Sequence, residues 1–167
     1  MEIKELNSTL RSQARELGLC DEWYKNWKKK ESMQKLIEKY LKGIDFCIKH
    51  DYPSLDFTRE NFPKDILNTN GIFLDNEVDA TNIQKAVLLG DSRGSLSYSG
   101  QISGDIYIRH HSDVVIQAKE GAKLFVEIYD QCNVMVTADE YSKVFVYQHG
   151  GNVYAEGNVT IRNKAAE

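Results

Sequence analysis

The residues of this sequence most suited to chemistry stand just ahead of a repeated motif. Asp113-Val-Val-Ile-Gln-Ala118 returns as Asn133-Val-Met-Val-Thr-Ala138 and again as Asn152-Val-Tyr-Ala-Glu-Gly157. Ser95-Leu-Ser-Tyr-Ser-Gly100 is a weaker copy, eighteen residues before Asp113. Counting back three residues from the head of each copy aligns Ser92, His110, Asp130 and His149 in one column. If the copies stack, successive members sit about 4.8 Å apart. Imidazoles flanking a carboxylate could then form a hydrogen-bonded ladder, and His110, Asp130 and His149 have the donor types that hold a metal ion. A step of twenty from Tyr129 in both directions instead stacks Arg109, Tyr129 and His149. With Arg93 in a neighbouring turn, that set could grip an anionic ligand. The two alignments differ by one residue gained or lost in the turn, and a slip of one reverses which side chains face inward. A third reading is a polar corner of solvated charges, each pair worth about 0–1 kcal/mol.

Other clusters carry blander readings. Trp23-Tyr-Lys-Asn-Trp-Lys-Lys-Lys30 mixes aromatics with lysines, as surfaces that stack bases do. Its two tryptophans are one helical turn apart, however, and suit a buried stripe with the lysines in water; Glu31 dilutes the charge further. Nucleic acid is therefore not an expected partner. Cys47 and His50 could share a helical face, but a buried structural thiol fits them better. Gly90-Asp-Ser-Arg-Gly94 and Gly100-Gln-Ile-Ser-Gly104 read as glycine-bearing turns, not phosphate loops, because neither precedes a helix and no Gly-Lys-Ser/Thr follows. Ser92, Ser95, Ser97 and Ser99 lack a nucleophile-elbow setting. Asp105, Glu127 and Asp130 could project from neighbouring strands as glycosidase-like carboxylates, although nothing in the sequence sets their separation.

The elements that would position these residues fall into three stretches. Residues 1–52 read as helical. Ile3, Leu6, Leu10, Ala14 and Leu17 share one face, Gly18 ends that segment, and Asp21 and Ser32 are placed to cap a second and a third helix. Residues 53–85 read as an irregular connecting or capping piece, with a helical turn over Asp56–Phe62, a start at Pro63 and a turn at Asn68–Gly71. From 86 to 167, short Val/Ile/Leu/Tyr-rich runs recur about every ten residues between polar turns. The pair Ala122-Lys-Leu-Phe-Val126 and Ser142-Lys-Val-Phe-Val146 repeats at twenty. A period of eighteen to twenty predicts a β-solenoid of about four two-strand rungs, and so an α+β chain. Stacking then aligns Leu96, Val114, Val134 and Val153, and beside them Tyr98, Ile116, Val136 and Ala155. The competing fold is an antiparallel meander of similar hairpins.

The net charge of -4 is uneven: residues 1–50 carry +3 and the remainder -7. Three widely spaced cysteines without a Cys-x-x-Cys pair argue against a disulfide framework or a zinc knuckle. No apolar run is long enough to span a bilayer, and the polar amphipathic start lacks the apolar core of a signal peptide. A cytoplasmic protein with no membrane association is expected.

Ala14-Arg-Glu-Leu-Gly-Leu-Cys20, Gly43-Ile-Asp-Phe-Cys-Ile-Lys-His50 and Gly150-Gly-Asn-Val153 resemble segments of a small set of uncharacterised proteins carried by phages and mobile elements of gut bacteria. That resemblance covers nearly the whole chain; it implies a mobile-element context and brings no active site. The rung pattern also resembles bactofilins, β-helical proteins that form polymers, whereas the long helical start departs from them and argues against a filament. The expectation is a non-enzymatic, self-assembling or partner-binding protein: a homo-oligomer, or one bound to another protein, with no cofactor. The alternatives are a protein that sequesters a nucleotide-like signal and a carbohydrate-active β-helix enzyme.

Overall fold

A computed structural model describes residues 1–165. The chain divides into two compact units, Met1–Ile66 and the part from Leu67 onward. Helices α1 (Ile3–Glu16), α2 (Asp21–Asn26), α3 (Met33–Lys42), α4 (Ile44–His50), α5 (Leu55–Asn61) and α6 (Lys64–Thr69) precede the strands.

In the helical unit the predicted stripe of α1 is buried at Leu6, Leu10 and Ala14, while Ile3 and Leu17 at its ends stay exposed. Ser32 caps α3 by accepting a hydrogen bond from the Lys35 N–H at 3.2 Å. Asp21 does not cap α2; it lies inside the first turn, after Cys20. There its charge favours the helix N-terminus and pairs with Arg15 at 2.6 Å. The buried amide of Asn7 ties the unit together. Its oxygen accepts from the Trp27 indole N–H at 2.7 Å, and its nitrogen donates to the Lys28 carbonyl at 3.1 Å. Trp27 is thus a core residue with its one donor satisfied, as a buried indole requires. The Tyr52 hydroxyl likewise donates to the Leu10 carbonyl at 2.7 Å.

The second unit is a parallel two-sheet β-solenoid of about four turns. Its strands are β1 (Ile72–Leu74), β2 (Glu77–Thr81), β3 (Lys85–Leu89), β4 (Arg93–Ser99), β5 (Ser103–Ile108), β6 (Asp113–Lys119), β7 (Lys123–Ile128), β8 (Asn133–Ala138), β9 (Lys143–Gln148), β10 (Asn152–Gly157) and β11 (Val159–Asn163). The odd strands form one sheet in the order β1-β3-β5-β7-β9-β11, and the even strands form the other. Every pairing is parallel, which rules out the antiparallel meander. The first strands occupy 72–81, inside the stretch read above as a connecting piece. Val78 and Ala80 there are the only apolar residues of a five-residue strand, too few to register as a repeat.

The register also corrects the inward columns. Leu96 pairs with Ile116, and the position beside Val114 belongs to Gly94, so the step is twenty here, not eighteen. A side chain at Gly94 would run into the Val78 carbonyl, and its φ of +140° is one that glycine tolerates. With its apolar residue replaced by glycine, this copy of the motif is disguised in the sequence. The true columns are Gly94, Val114, Val134, Val153 and Leu96, Ile116, Val136, Ala155. From the other sheet come Ala86, Ile106, Val126 and Val146, all fully buried. Each fully buried valine, leucine or isoleucine of these columns contributes about 1.5–3 kcal/mol by leaving water. Among the described residues Phe73 packs against this core half-buried, and Tyr98 is its one fully buried ring. It fits because Gly104, in register with Leu124, leaves room: a Cβ at 104 would sit 2.9 Å from the ring. The Tyr98 hydroxyl donates to the Ile83 carbonyl at 2.7 Å. Gly94 and Gly104, read above as turn residues, both lie within strands.

Candidate functional site: the polar corner of the solenoid

The chain passes from the odd-strand sheet to the even-strand sheet through short turns after β3, β5, β7 and β9. The residue that leaves each odd strand still follows the ladder. Arg109 N–H donates to the Leu88 carbonyl at 2.9 Å, Tyr129 N–H to Ile108 at 3.0 Å, and His149 N–H to Ile128 at 2.9 Å. Arg109, Tyr129 and His149 are therefore stacked on consecutive rungs, as the twenty-residue step predicts. The Tyr129 and His149 rings lie 4.2 Å apart and 2° from parallel, and the Arg109 guanidinium carbon is 4.8 Å from the Tyr129 ring centroid. Arg93, the fourth residue of the expected anion-gripping set, is not in this ladder. It opens β4 in the other sheet, in register with Glu77 and Asp113.

His110 and Asp130 form the next column, and both adopt positive φ, at 71° and 57°. Here each side chain reaches back one rung to a backbone donor. Gly90 N–H donates to His110 Nδ1 at 3.0 Å, and His110 N–H donates to Asp130 Oδ2 at 2.9 Å. Asp130 Oδ2 also takes the Arg109 Nε–H at 3.0 Å. These bonds satisfy the donors that a left-handed turn exposes, so the carboxylate and the imidazole serve the backbone.

The column proposed as Ser92, His110, Asp130 and His149 is thus corrected. Ser92 belongs two positions further along, with Ser112 and Cys132, and His149 belongs to the Arg109 column. The proposed metal set of His110, Asp130 and His149 is not assembled; among the described residues no group of three or more His, Cys, Asp or Glu is placed to hold a metal ion. His149 Nε2 instead faces Glu127 Oε1 at 3.5 Å. Of the three carboxylates considered for glycan chemistry, Asp130 is engaged as described. Asp105 and Glu127 stand in separate columns of one sheet, Asp105 beside Phe125 and Glu127 beside Tyr107 and Tyr147.

The corner is closed from within by Ser92, Ser112 and Cys132, all fully buried. Ser112 Oγ donates within reach of the Gly90 carbonyl at 3.1 Å and the Arg109 carbonyl at 3.2 Å. One rung on, the Cys132 thiol points to the His110 carbonyl at 3.5 Å. Cys132 is a serine position occupied by sulfur, and burial pushes its thiol up to about 12. Cys47, in the helical unit, is pushed up to about 12 by the same cause. Its neighbour in sequence analysis, His50, lies against the Phe46 ring at 4.6 Å. Neither thiol is a nucleophile at neutral pH.

Two features of the even-strand sheet escaped the sequence analysis. Asn152 donates to Asn133 at 3.0 Å and Asn133 to Asp113 at 2.9 Å, an amide ladder along the strand starts. Beside it, Val115, Met135 and Tyr154 form an exposed apolar stripe in one register, and the two rows line an open groove. On the odd-strand sheet Phe125 and Phe145 stack at 5.5 Å. A step of twenty applied to outward positions finds Asp113 with Asn133, Val115 with Met135 and Phe125 with Phe145, and a step of nineteen on the last rung adds Asn152 and Tyr154.

No protein-family model, no curated protein and no solved structure matches the chain. Among the described residues, no helix is long and apolar enough to cross a membrane.

Proposed function

We propose that the chain is a non-enzymatic protein that self-assembles or binds a partner protein through its solenoid, in the phage or mobile-element context implied by its resembling segments. The observation that carries this reading is the bare last rung. Ile161 continues the column of Ala86, Ile106, Val126 and Val146, each fully buried, yet it is 43% exposed. Val153, Ala155 and Val159 around it are only half-buried. A solenoid end of this kind exposes apolar core and strand edges together, a combination that favours association. The polar corner supports the non-enzymatic part, because its acid, imidazole and guanidinium are engaged in holding turns. Light scattering at micromolar concentration tests the reading. A mass above that of the monomer is expected, and a strictly monomeric mass across that range, with no partner bound, contradicts it.

A further inference from the structure

The two ends of the solenoid are unlike, and the difference bears on what kind of assembly the last rung can make. At the first end, β2 carries exposed Glu77 and Asp79 on either side of Val78, charges that oppose further strand pairing. The Leu74 N–H is met by the Asn76 side chain at 3.1 Å, and the Gly71 N–H by the Asn68 carbonyl at 3.0 Å. None of the large apolar residues from 72 to 83 is exposed. The chain also enters β1 directly from α6, at the end of its helical part.

At the last end the edge strands carry one exposed acid, Glu156 on β10, and one exposed base, Arg162 on β11, with no pair of like charges on either strand. Asn152 N–H and Asn158 N–H donate inward to the Cys132 and Ala138 carbonyls, while Lys164 N–H donates to Gln148 and the Asn158 carbonyl accepts from Val144. Peptide groups alternate in direction along a strand. The N–H and carbonyl groups of Val153, Ala155, Val159 and Ile161 therefore turn to the outer edges of β10 and β11, beyond which no strand of the described residues pairs. The apolar stripe of the even-strand sheet runs out to the same end at Tyr154, which is 63% exposed.

We infer that the occupant of this edge is a second copy of the chain, docked last rung to last rung about a twofold axis, giving a closed dimer and not a filament. This rests on the self-assembly reading above and sharpens it. A head-to-tail filament needs the first end to accept the last, and the first end carries two like charges, Glu77 and Asp79, on its edge strand. An isologous contact needs only the open end, used twice. Under a twofold axis the edge strands of the two copies run antiparallel, so the outward N–H groups of one copy meet outward carbonyls of the other. The bare residues Ile161, Val159, Val153 and Ala155 then close a continuous core. Two strands of five and six residues make a contact at the low end of interface sizes, below about 1,200 Å². The dimer is accordingly expected to dissociate in the micromolar range.

Sedimentation velocity on the full chain, from low to high micromolar concentration, tests this. The expected result is a monomer–dimer equilibrium that levels off at the dimer mass. Ile161→Lys, which charges the end, and Ile161→Pro, which removes an outward N–H without adding charge, should each raise the dissociation constant at least tenfold with an unchanged circular dichroism spectrum. Mass that keeps growing past the dimer overturns the closed dimer and leaves self-assembly standing. So does a wild-type dimer that both folded variants retain. A wild-type monomer at every concentration overturns both readings, and this series stands whether or not the variants fold.

Discussion

The imidazole of His149 lies flat on the phenol ring of Tyr129, with centroids 4.2 Å apart and planes 2° from parallel. Their backbones leave successive rungs at the same ladder position, so the rings are held at the rung spacing. Such a pair adds about 0.5–1.5 kcal/mol beyond the area it buries. A double-mutant cycle of Tyr129→Leu, His149→Leu and both, followed by urea denaturation, should return a coupling energy in that range. A coupling indistinguishable from zero would mean that the stack is only a consequence of register.

The two strand glycines differ in what surrounds them, and their substitutions should differ accordingly. At Gly94 the obstacle is the backbone carbonyl of Val78, and the φ of +140° is itself unfavourable for alanine. Gly94→Ala should therefore cost several kcal/mol, in the range reserved for severe core lesions, above about 4 kcal/mol. At Gly104 the neighbours are side chains, Tyr98 at 2.9 Å and Leu124 at 3.0 Å, which can shift. Gly104→Ala should cost about 1–3 kcal/mol as overpacking. Combining it with Tyr98→Leu should cost less than the two single changes added together, because the smaller side chain vacates the space. Chemical denaturation of the four variants distinguishes these outcomes.

The thiols make a prediction in alkali. Cys47 and Cys132 are each raised by burial from 9.0 to about 12 in the folded chain. The folded state thus keeps protons that the unfolded state gives up. Their contribution is intact below pH about 9 and is lost as pH rises towards about 12. Within that window stability should fall by about 1.4 kcal/mol per pH unit for each thiol. Cys132→Ser should remove one thiol's share of that slope while costing little at neutral pH, since Ser112 already does the same work one rung earlier. Cys132→Val, which leaves the His110 carbonyl without this donor, should cost about 1–3 kcal/mol. In the folded protein at neutral pH, a thiol reagent should reach the exposed Cys20 and neither of the others.

Much of the fold could be read in the sequence because its signals are local or periodic. The stripe Leu6, Leu10, Ala14 places α1, Ser32 marks the start of α3, and motifs repeating at twenty residues announce the solenoid. The first strands could not be read, because β1 and β2 are three and five residues long and no complete copy of the motif lies there. The polar corner was half legible. The twenty-residue step stacks Arg109, Tyr129 and His149 correctly, whereas counting back from Asn152, across a last turn one residue shorter than the one before it, put His149 beside His110 and Asp130.

Composition and period thus specify that rungs form and which residues repeat, since both depend on alternation along the chain. Which residues touch across rungs depends on register, and one residue more or less in a turn changes every neighbour without changing the pattern. Asp130 and His110 carry ordinary ligand chemistry on paper. Their left-handed backbone and the N–H groups it exposes, created only when the rungs stack, turn them into braces of the corner. The openness of the last rung has the same origin. Ile161 continues an inward apolar column, and it is exposed because no strand among the described residues stacks on β11.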